Sequence, residues 1–569
     1  MWMGDTRQDD RIYKKTSSVI IMVTEVEIFG KWLLLEREQS SLWIKSLKNS
    51  VNDPALRQMG DNLLSELNQL KVNGSDADFL KKEQFWHLSL VFESPEYTLL
   101  KSDIIRSAPL LYRFLDNQLL VTDHIRFDNC HKIDRDIIYE FTEMNNVLGD
   151  RTVFQDVYGV QAAEIVIFKN GGIEKSRYFR YNTDQSAQIK DYSSIKKNAI
   201  ALDTIFQEIF GEITDSISDS GRIIVPLSGG HDSRIIVNYL YKLGYKNVVC
   251  YTYGMPGNIQ SKISEQVAKA AGYEWHFIEY TEEKWYELHS SGTFDNYIEY
   301  ASNGISNPHL QDFLSIYELS KNKVLRKGDL FMPGHGLDVL TNNLDYSKLS
   351  GSAAERALKK FSWSEDFSKK KPEALFSILN QIFEESGVSE AAFLDYLVWQ
   401  ERQAKFIFNS FRVYEFFGYE ALAPFWDHRL VEFWLSVSKT LKFSRDFFKE
   451  MEREILMAEK LKDIHYSDER NLNVEKKRIK FKRLIPDFLK RALLRVIKRK
   501  KAVNEGLHMT YNLKANSVKE LVAPIDIWPK NVVKIVKPHL YRYPYQINYG
   551  FLTSLYTAKR IVQKDNKYS

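Results

Sequence analysis

The residues best suited to chemistry lie in a short loop between an apolar run and a helical pattern. In the stretch "RIIVPLSGGHDSRIIVNYL", Ile223-Ile224-Val225 predicts a buried strand, Ser228-Gly229-Gly230 follows it, and Asp232 and Ser233 open a helix. Glycines after a strand let the backbone approach a ligand closely, and amides at a helix N-terminus favour an anion. The serines add hydroxyl donors, and a carboxylate is a suitable Mg²⁺ ligand. The loop therefore predicts a site for the phosphates of a nucleotide, although it lacks the Gly-Lys-Ser/Thr ending of a P-loop.

The surrounding pattern predicts an α/β protein with two kinds of sheet. Residues 18–190 read mostly as strands, with one hairpin signal around Asp116-Asn117 and a second at Asn170-Gly171-Gly172. From about residue 191 strands alternate with helices, which predicts a parallel sheet covered by helices. Residues 393–460 are apolar at helical spacing and predict a helical lid.

Composition excludes several classes of protein. The chain has 569 residues and a formal net charge of +4, so it lacks the charge excess of a general nucleic-acid binder. Its two cysteines, Cys130 and Cys250, exclude a disulfide framework and suit a reducing compartment. The apolar run "SSVIIMV" is too short to cross a bilayer and predicts a strand. These features predict a cytoplasmic protein without a transmembrane helix.

Several stretches, in order, resemble the asparagine synthetase family. "LSGGHDS" resembles the pyrophosphate loop of ATP pyrophosphatases, and "VVCYTYG" with "SEQVAKAAG" resembles the strand at adenine and its following helix. "PGHGLDVLTNN" and "ALAPFWDHRLVEFWLSVSKTLKF" resemble two later segments of the family. Upstream, "DIIRSAPLLYRFLDNQLLVTDH" and "VLGDRTVFQDVYGVQAAEIVIF" resemble its glutaminase-like domain. The likeness spans roughly residues 30–445.

The resemblance implies a fold, domains and a site. It implies an inactive Ntn-hydrolase-like β-sandwich over 1–190, an ATP-pyrophosphatase-type domain with a parallel sheet and helical lid over 191–470, and an extension over 471–569. It implies that ATP and Mg²⁺ take part, with Mg²⁺ held by Asp232 and Asp338; for Asp338 a helix cap is the alternative. The residues implied at ATP are Leu227, Ser228, Gly229, Gly230, Asp232, Ser233, Tyr253, Pro333 and Gly334.

Two departures from the family concern the nitrogen donor. Glutamine-using relatives carry an N-terminal cysteine nucleophile, whereas here Trp2 follows Met1 and both cysteines lie inside the chain. We therefore expect a glutaminase-like domain without glutaminase chemistry, and a structural role for Cys130 beside His131. In addition, His335 stands where asparagine synthetases have glutamate and β-lactam synthetases have tyrosine. With an ordinary pKa near neutrality, a histidine there could accept the proton of an attacking amine; the alternative is a hydrogen-bonding role.

Other departures concern the substrate pocket and a basic residue. Family acids after this segment are replaced by "VLTNN". Arg234 replaces a serine and is predicted to clamp a phosphate or carboxylate, with a surface salt bridge as the alternative. The family's catalytic lysine has no secure counterpart, although Lys476 and Lys477 lie at about the right distance.

The segment 476–501 is a basic amphipathic pattern with 13 Lys or Arg and one acid, interrupted near Pro486. It predicts either contact with an anionic membrane surface, which would make the protein peripheral at the inner face of the membrane, or a helix packed on the domain with a solvated basic face.

The leading hypothesis is an ATP-dependent carboxylate–amine ligase whose partners are a small carboxylate and ammonia or an amine. The segment with His335 resembles family members that form amides on uronic acids in surface-polysaccharide assembly. The alternatives are asparagine synthesis with ammonia or a partner glutaminase, a nucleotide-binding pseudoenzyme, and an RNA-modifying ATP pyrophosphatase. Nucleic acid is not an expected partner under the leading hypothesis.

Overall fold

The computed structural model describes residues 23–467, apart from 71–76, 116–117, 126–131, 185–187, 219, 255, 343–348, 363–372 and 444, together with 557–558 and 560–561. The strands of the N-terminal part are β1 Val23–Glu27, β2 Leu33–Arg37, β3 Ser40–Ser46, β4 Leu88–Glu93, β5 Thr98–Lys101, β6 Leu111–Leu115, β7 Gln118–Thr122, β8 Val157–Gly159, β9 Glu164–Lys169 and β10 Gly172–Arg177. Its helices are α1 Pro54–Gln69 and α2 Arg135–Met144, with 3₁₀ turns at Asp78–Lys81 and Glu83–Phe85.

These strands build a β-sandwich. One sheet has the order β1-β7-β6-β8 and the other β10-β9-β5-β4-β3-β2. Val91, Leu100 and Phe168 of the larger sheet share a buried cluster with Tyr112 and Val121 of the smaller one. The helix α1 packs on the opposite face of the larger sheet through its leucines. Residues on one face of the larger sheet therefore pack against the smaller sheet, and residues on its other face pack against α1.

Both predicted hairpins are confirmed. The pairs β6–β7 and β9–β10 are antiparallel. The last pair turns through Asn170 and Gly171, whose φ angles are 51° and 72°. Two successive left-handed residues match the right-handed twist of the strands, which explains the Asn-Gly signal in the sequence.

A parallel sheet follows, as the strand–helix alternation predicted. Its strands are β11 Ile223–Pro226, β12 Val248–Gly254, β13 Glu274–Glu279, β14 Leu330–Phe331 and β15 Glu420–Ala421, in the order β13-β12-β11-β14-β15. All neighbouring pairs are parallel. The residues Ile223, Ile224 and Val225 of the central strand β11 are fully buried. The continuous apolar run arises because both faces of β11 are covered.

Helices cover this sheet and continue beyond it. They are α3 Ile195–Ser216, α4 Asp232–Lys242, α5 Ile259–Ala271, α6 Glu282–Ser290, α7 Thr293–Ser302, α8 Phe313–Lys321, α9 Leu337–Thr341, α10 Ala353–Phe361, α11 Glu373–Ser386, α12 Glu390–Leu397, α13 Phe411–Phe416, α14 His428–Ser436, α15 Lys439–Lys442, α16 Asp446–Met451 and α17 Glu459–Lys462. The segments Val398–Ile407 and Glu452–Leu456 are π-helical, and Tyr192–Ser194, Phe408–Ser410 and Pro424–Trp426 are 3₁₀ turns. The predicted helical character of 393–460 is confirmed.

Buried ion pairs join the sandwich to the second part of the chain. Lys48 contacts Asp427, and Lys45 contacts Glu415. Asp427 also caps α14 by accepting from the Arg429 backbone N–H at 3.0 Å, and it accepts from Arg429 Nε at 2.9 Å. The carboxylate thus connects a helix start to the sandwich, and its side chain is 1% exposed.

Replacement of Asp427 by asparagine is expected to lower the free energy of unfolding by about 3 kcal/mol, because Lys48 loses a buried partner. Burial opposes ionisation, but hydrogen bonds from Arg429 and the charge of Lys48 lower the pKa of Asp427 far below its usual range. The stabilisation that Asp427 contributes is therefore complete above the pKa of an aspartate in the unfolded chain, about 3.9. It is lost as the pH falls towards the pKa of Asp427 in the folded protein. Urea denaturation of both proteins at pH 7 and pH 3.5 measures the difference, which should shrink at low pH.

The exposed pair Lys462–Glu459, with the glutamate 89% exposed, provides a control. Glu459→Gln should change stability by less than about 1 kcal/mol. A loss in Asp427→Asn no greater than this control would contradict the structural role of the buried pair.

Candidate active site

The loop after β11 is organised by its own serine hydroxyls. The Ser228 N–H donates to Ser233 Oγ at 3.0 Å, and the Gly230 N–H donates to Ser228 Oγ at 3.2 Å. The Thr252 hydroxyl donates to the Leu227 carbonyl at 2.6 Å, which ties the loop to β12. These contacts hold backbone and hydroxyl groups together at the start of the eleven-residue helix α4. That arrangement suits an anion.

Gly334 allows the chain after β14 to approach this loop. A Cβ at Gly334 would lie 2.8 Å from the Ser233 backbone nitrogen and 3.1 Å from the Asp232 carbonyl carbon. Both are backbone atoms and cannot move aside as a side chain could. Gly334 therefore fixes how closely two neighbouring strand ends can meet.

The residues predicted to bind ATP come together at the carboxyl ends of three adjacent strands. The 227–233 loop follows β11, Tyr253 lies near the end of β12, and Pro333 and Gly334 follow β14. The central strand β11 has β12 on one side and β14 on the other, so the connections that leave β11 for β12 and β14 for β15 run in opposite directions. A crevice at such a switch point is where α/β sheets bind ligands. The Tyr253 ring stacks on Tyr280, with centroids 5.1 Å apart.

Asp232 and Asp338 are electrostatically coupled in the same crevice. Burial first and the Asp232 charge second raise the pKa of Asp338 to about 6. Such mutual destabilisation of two carboxylates is relieved by a cation, and both offer the oxygen ligands that Mg²⁺ prefers. In the described part of the chain, no group of three or more His, Cys, Asp and Glu side chains could hold a metal. Two protein carboxylates with phosphate oxygens and water are a suitable set for Mg²⁺.

Arg445 is the site residue that the sequence did not indicate. Its Nη2 donates to Asp232 Oδ1 at 2.5 Å. Burial works against its charge, but Asp232 and then Asp338 raise the pKa of Arg445. Arg445 also adopts a left-handed backbone with φ of 62°, which a non-glycine residue adopts only at a cost. The guanidinium therefore balances the charge of both predicted metal ligands.

His335 lies next to this crevice in an apolar and basic setting. Its ring centroid is 6.1 Å from that of Phe408 and 6.0 Å from that of His309. Burial and the His309 charge lower the pKa of His335 to about 4, against a smaller opposing effect of Asp312. The expectation of a pKa near neutrality is therefore wrong. At pH 7 this imidazole is neutral and a weak base, which suits a hydrogen-bonding role towards a substrate.

Arg234 does not lie where the predicted clamp requires. Its side chain is fully buried, with Nη1 donating to the Ile464 carbonyl at 2.5 Å and Nη2 to the His465 carbonyl at 2.9 Å. These carbonyls belong to a segment more than 200 positions later in the chain. Neither the anion clamp nor the surface salt bridge describes this contact. Arg234 instead holds residues 464–467, which we call the strap, against helix α4.

The strap is layered on the loop. The Tyr466 ring stacks on His231 with centroids 4.0 Å apart, and the Arg234 guanidinium lies 3.7 Å from the Tyr466 ring centroid. The Ser467 N–H donates to the Gly229 carbonyl at 3.0 Å. Below the stack, His231 Nδ1 lies 2.5 Å from a carboxylate oxygen of the buried Glu452. The loop is therefore braced by residues more than 200 positions later in the sequence.

Replacement of Tyr466 by alanine is expected to release the strap from the loop. Losing the ring between His231 and Arg234 should lower the free energy of unfolding by about 2 kcal/mol and speed tryptic cleavage at Lys462. Tyr466→Phe keeps the stack and should retain most of the protection. Thermal unfolding and timed proteolysis measure both effects, and equal behaviour of the alanine variant and the unmodified protein would contradict the brace.

Some predicted features lie outside the described residues. These are residues 17–22 of the strand predicted at "SSVIIMV", Cys130 with His131, Lys476, Lys477, the basic segment 476–501, and all of 471–569 apart from residues 557, 558, 560 and 561. Cys250 is described: it is buried in β12, and burial raises the pKa of its thiol above the usual range. Cys250 is therefore inert in this fold.

Comparison with protein-family models gives a match for asparagine synthase over residues 216–463. This segment belongs to the asparagine synthase family. The match contains β11 to β15, the loop, Asp338, His335 and Arg445. It supports an ATP-dependent amide-forming ligase of the asparagine synthetase type.

The search of curated proteins finds no match. Two solved structures show partial likeness to the chain. Glutamine phosphoribosylpyrophosphate amidotransferase from B. subtilis, complexed with ADP and GMP, shares 12% identity, covering 44% of this chain and 73% of that one, with a TM-score of 0.18. A structure described as the allosteric regulatory enzyme of purine biosynthesis shares 12% identity, covering 43% and 62%, with a TM-score of 0.17. Scores this low support no statement about fold, so the Ntn-type assignment of the sandwich stays a prediction.

A membrane-spanning helix is not found: within the described residues, every helix is too short or too polar to cross a bilayer.

Proposed function

We propose that the protein joins a carboxylate to an amine by adenylating the carboxylate with ATP. The carboxylate oxygen would attack the α-phosphorus of ATP, pyrophosphate would leave, and the amine would displace AMP from the mixed anhydride. The observation that carries this proposal is the serine-braced loop with Asp232 and Asp338 at one crevice of the parallel sheet.

The loop residues would bind and orient the phosphates of ATP. The amide groups and hydroxyls from Ser228 to Ser233 surround the start of α4, and they are fixed before a ligand arrives. Such preorganised donors favour charge that develops on a leaving pyrophosphate. Asp232 and Asp338 would hold Mg²⁺, which when bound supplies positive charge to the phosphate oxygens. Tyr253, at the end of β12, would place its backbone beside adenine.

The nucleophile would be ammonia or an amine supplied from outside the chain. Cys250 is buried in the parallel sheet with a raised thiol pKa, so it does not offer a nucleophile for glutamine. The neutral His335 would orient the amine or the carboxylate by hydrogen bonding. We expect ammonium or amine salts to support turnover, and glutamine added to the purified chain not to do so.

The carboxylate is proposed to belong to a uronic acid in surface-polysaccharide synthesis. The resemblance of the His335 segment supports this class, and Thr341 and Asn342 replace acids of the family beside the crevice. Product analysis with ATP, an amine and either a nucleotide-linked uronic acid or aspartate tests the proposal. Equal amounts of AMP, pyrophosphate and amide are expected with the uronic acid, whereas ADP as the product would overturn it. If aspartate is turned over and the uronic acid is not, aspartate replaces the uronic acid as the proposed substrate.

Replacement of Arg445 by glutamine is expected to strengthen Mg²⁺ binding to the nucleotide-free protein by about tenfold. The guanidinium now competes for Asp232, and without it two carboxylates lie together with no counter-charge. Calorimetric titration with MgCl₂ measures the effect. Arg356→Gln, which removes a surface pair with Glu390, serves as the control and should leave Mg²⁺ binding unchanged. Weaker Mg²⁺ binding in Arg445→Gln would contradict the competition.

A further inference from the structure

A polar pocket lies where the sandwich meets the helical part of the chain, apart from the nucleotide loop. Its volume is about 290 Å³, including space open to solvent. The walls come from the segment after β5, the end of α7 and residues 404–412, and they include Arg106, Lys405 and Arg412. Among the described residues that line it, none is a carboxylate. The wall facing the pocket is therefore cationic.

The three cations are not equally neutralised. Lys405 Nζ lies 2.6 Å from Glu401, and Arg412 Nη1 lies 2.7 Å from Glu415. Arg106 is 5% exposed, and within the described chain it forms no ion pair within 4.0 Å; its Nε donates to the Val160 carbonyl at 2.8 Å. Burial lowers the pKa of Arg106 to about 10, against weaker opposing effects of Glu401 and other acids. A buried cation of this kind is costly unless something else neutralises it.

Three residues that line the pocket carry unused hydrogen-bonding atoms. Arg106 Nη2 and Arg412 Nε are buried donors without a partner among the described residues, and Asn409 Oδ1 is a buried acceptor in the same condition. The Asn409 amide nitrogen donates to the Ser306 hydroxyl at 2.6 Å and to the Ala301 carbonyl at 3.0 Å. That bonding fixes which end of the amide is the acceptor. Buried polar atoms are normally paired, so two donors and one acceptor at one pocket require a ligand or water.

We propose that this pocket binds a small oxyanion that carries its own hydrogen-bond donor, such as hydrogen phosphate or the carboxylate of an amino acid. The oxyanion accepts from Arg106 Nη2 and Arg412 Nε, and its hydroxyl or ammonium group donates to Asn409 Oδ1. Guanidinium groups are well suited to oxyanions. Phe408 lines the pocket and also lies next to His335, so a bound anion is one side chain away from the candidate active site.

The test uses the full chain without ATP, so its result is independent of the proposed ligase activity. Titration calorimetry at constant ionic strength compares inorganic phosphate with sulfate, and glycine with acetate. Phosphate resembles sulfate and glycine resembles acetate, but only phosphate and glycine carry a strong hydrogen-bond donor at neutral pH. Binding of phosphate or glycine at least about tenfold tighter than its counterpart is expected. No binding of any of the four ions would overturn the proposal.

Variants distinguish the pocket from the nucleotide loop and from a structural role. Arg106→Met should weaken the binding at least about tenfold, while the unfolding midpoint of the ligand-free protein stays the same or rises. Arg106→Lys keeps the charge but loses the forked donor, and should weaken binding several-fold in a folded protein. Ser233→Ala, at the nucleotide loop, removes a hydroxyl proposed to bind phosphate there, so the comparison uses glycine, whose binding should stay unchanged. Glycine binding that is lost in Ser233→Ala or kept in Arg106→Met would overturn the proposal.

Discussion

Replacement of Gly334 by alanine is expected to remove nucleotide binding, with ATP affinity lowered at least about tenfold. The new Cβ would lie 2.8 Å from the Ser233 nitrogen, so either the strand end or the start of α4 must move. Overpacking of this kind also lowers the free energy of unfolding by about 1–3 kcal/mol. The measurement is fluorescence titration with a labelled ATP analogue, together with thermal unfolding.

Gly211 provides a matched control for this substitution. It lies within α3, and a Cβ there would meet no atom within 4 Å. Gly211→Ala should raise stability by up to about 1 kcal/mol and leave ATP binding unchanged, because alanine is the better helix former. If both alanine variants bind ATP equally well, the close approach at Gly334 does not shape the nucleotide site.

Replacement of Asp232 by asparagine is expected to lower carboxylate-dependent turnover by about 100-fold or more. The change keeps the shape of the side chain but removes the charge that would hold Mg²⁺ and pair with Arg445. The free energy of unfolding should fall by less than in Asp427→Asn, since the Asp232 side chain is 20% exposed and Asp338 still offsets the charge of Arg445. The measurement is AMP release under saturating ATP and Mg²⁺.

Asp61→Asn supplies the control, because Asp61 lies exposed on α1 in the sandwich. It removes the same charge far from the crevice in the sequence and should leave turnover unchanged. Turnover in Asp232→Asn equal to that of the Asp61→Asn control would refute the metal assignment.

The parts of the fold that sequence could predict are those encoded by local pattern. The Asn170-Gly171 turn demands left-handed backbone, and the alternating residues around it fix the β9–β10 hairpin. The apolar run at Ile223–Val225 followed by glycines predicted both the central strand and the ligand loop. Local chemistry was sufficient in these cases because the residues that interact are close in sequence.

The contacts that sequence could not predict join residues far apart in the chain. Arg445 meets Asp232 across 213 positions, and His231 meets Glu452 across 221. Arg445 lies just beyond the resembling stretch that ends at Phe443, and no local pattern marks it as a partner of Asp232. The error at Arg234 has the same origin. Its position at the start of α4 suggested a phosphate clamp, but its two terminal nitrogens donate to the backbone carbonyls of Ile464 and His465.

The pKa of His335 also depends on surroundings that the sequence does not reveal. An ordinary histidine titrates near neutrality, whereas burial beside His309 lowers the pKa of this one to about 4. Only the assembled fold places those two rings 6.0 Å apart. The revised role, a neutral hydrogen-bonding group, follows from packing.

The central claim is that this chain activates a carboxylate by transferring AMP to it. The most direct measurement is exchange of labelled pyrophosphate into ATP by the purified protein with Mg²⁺, in the absence of any amine, across a panel of carboxylates that includes nucleotide-linked uronic acids and aspartate. The predicted result is exchange that depends on one class of carboxylate and is lost in Asp232→Asn. Exchange stimulated by no carboxylate, with ATP bound normally, would contradict the claim.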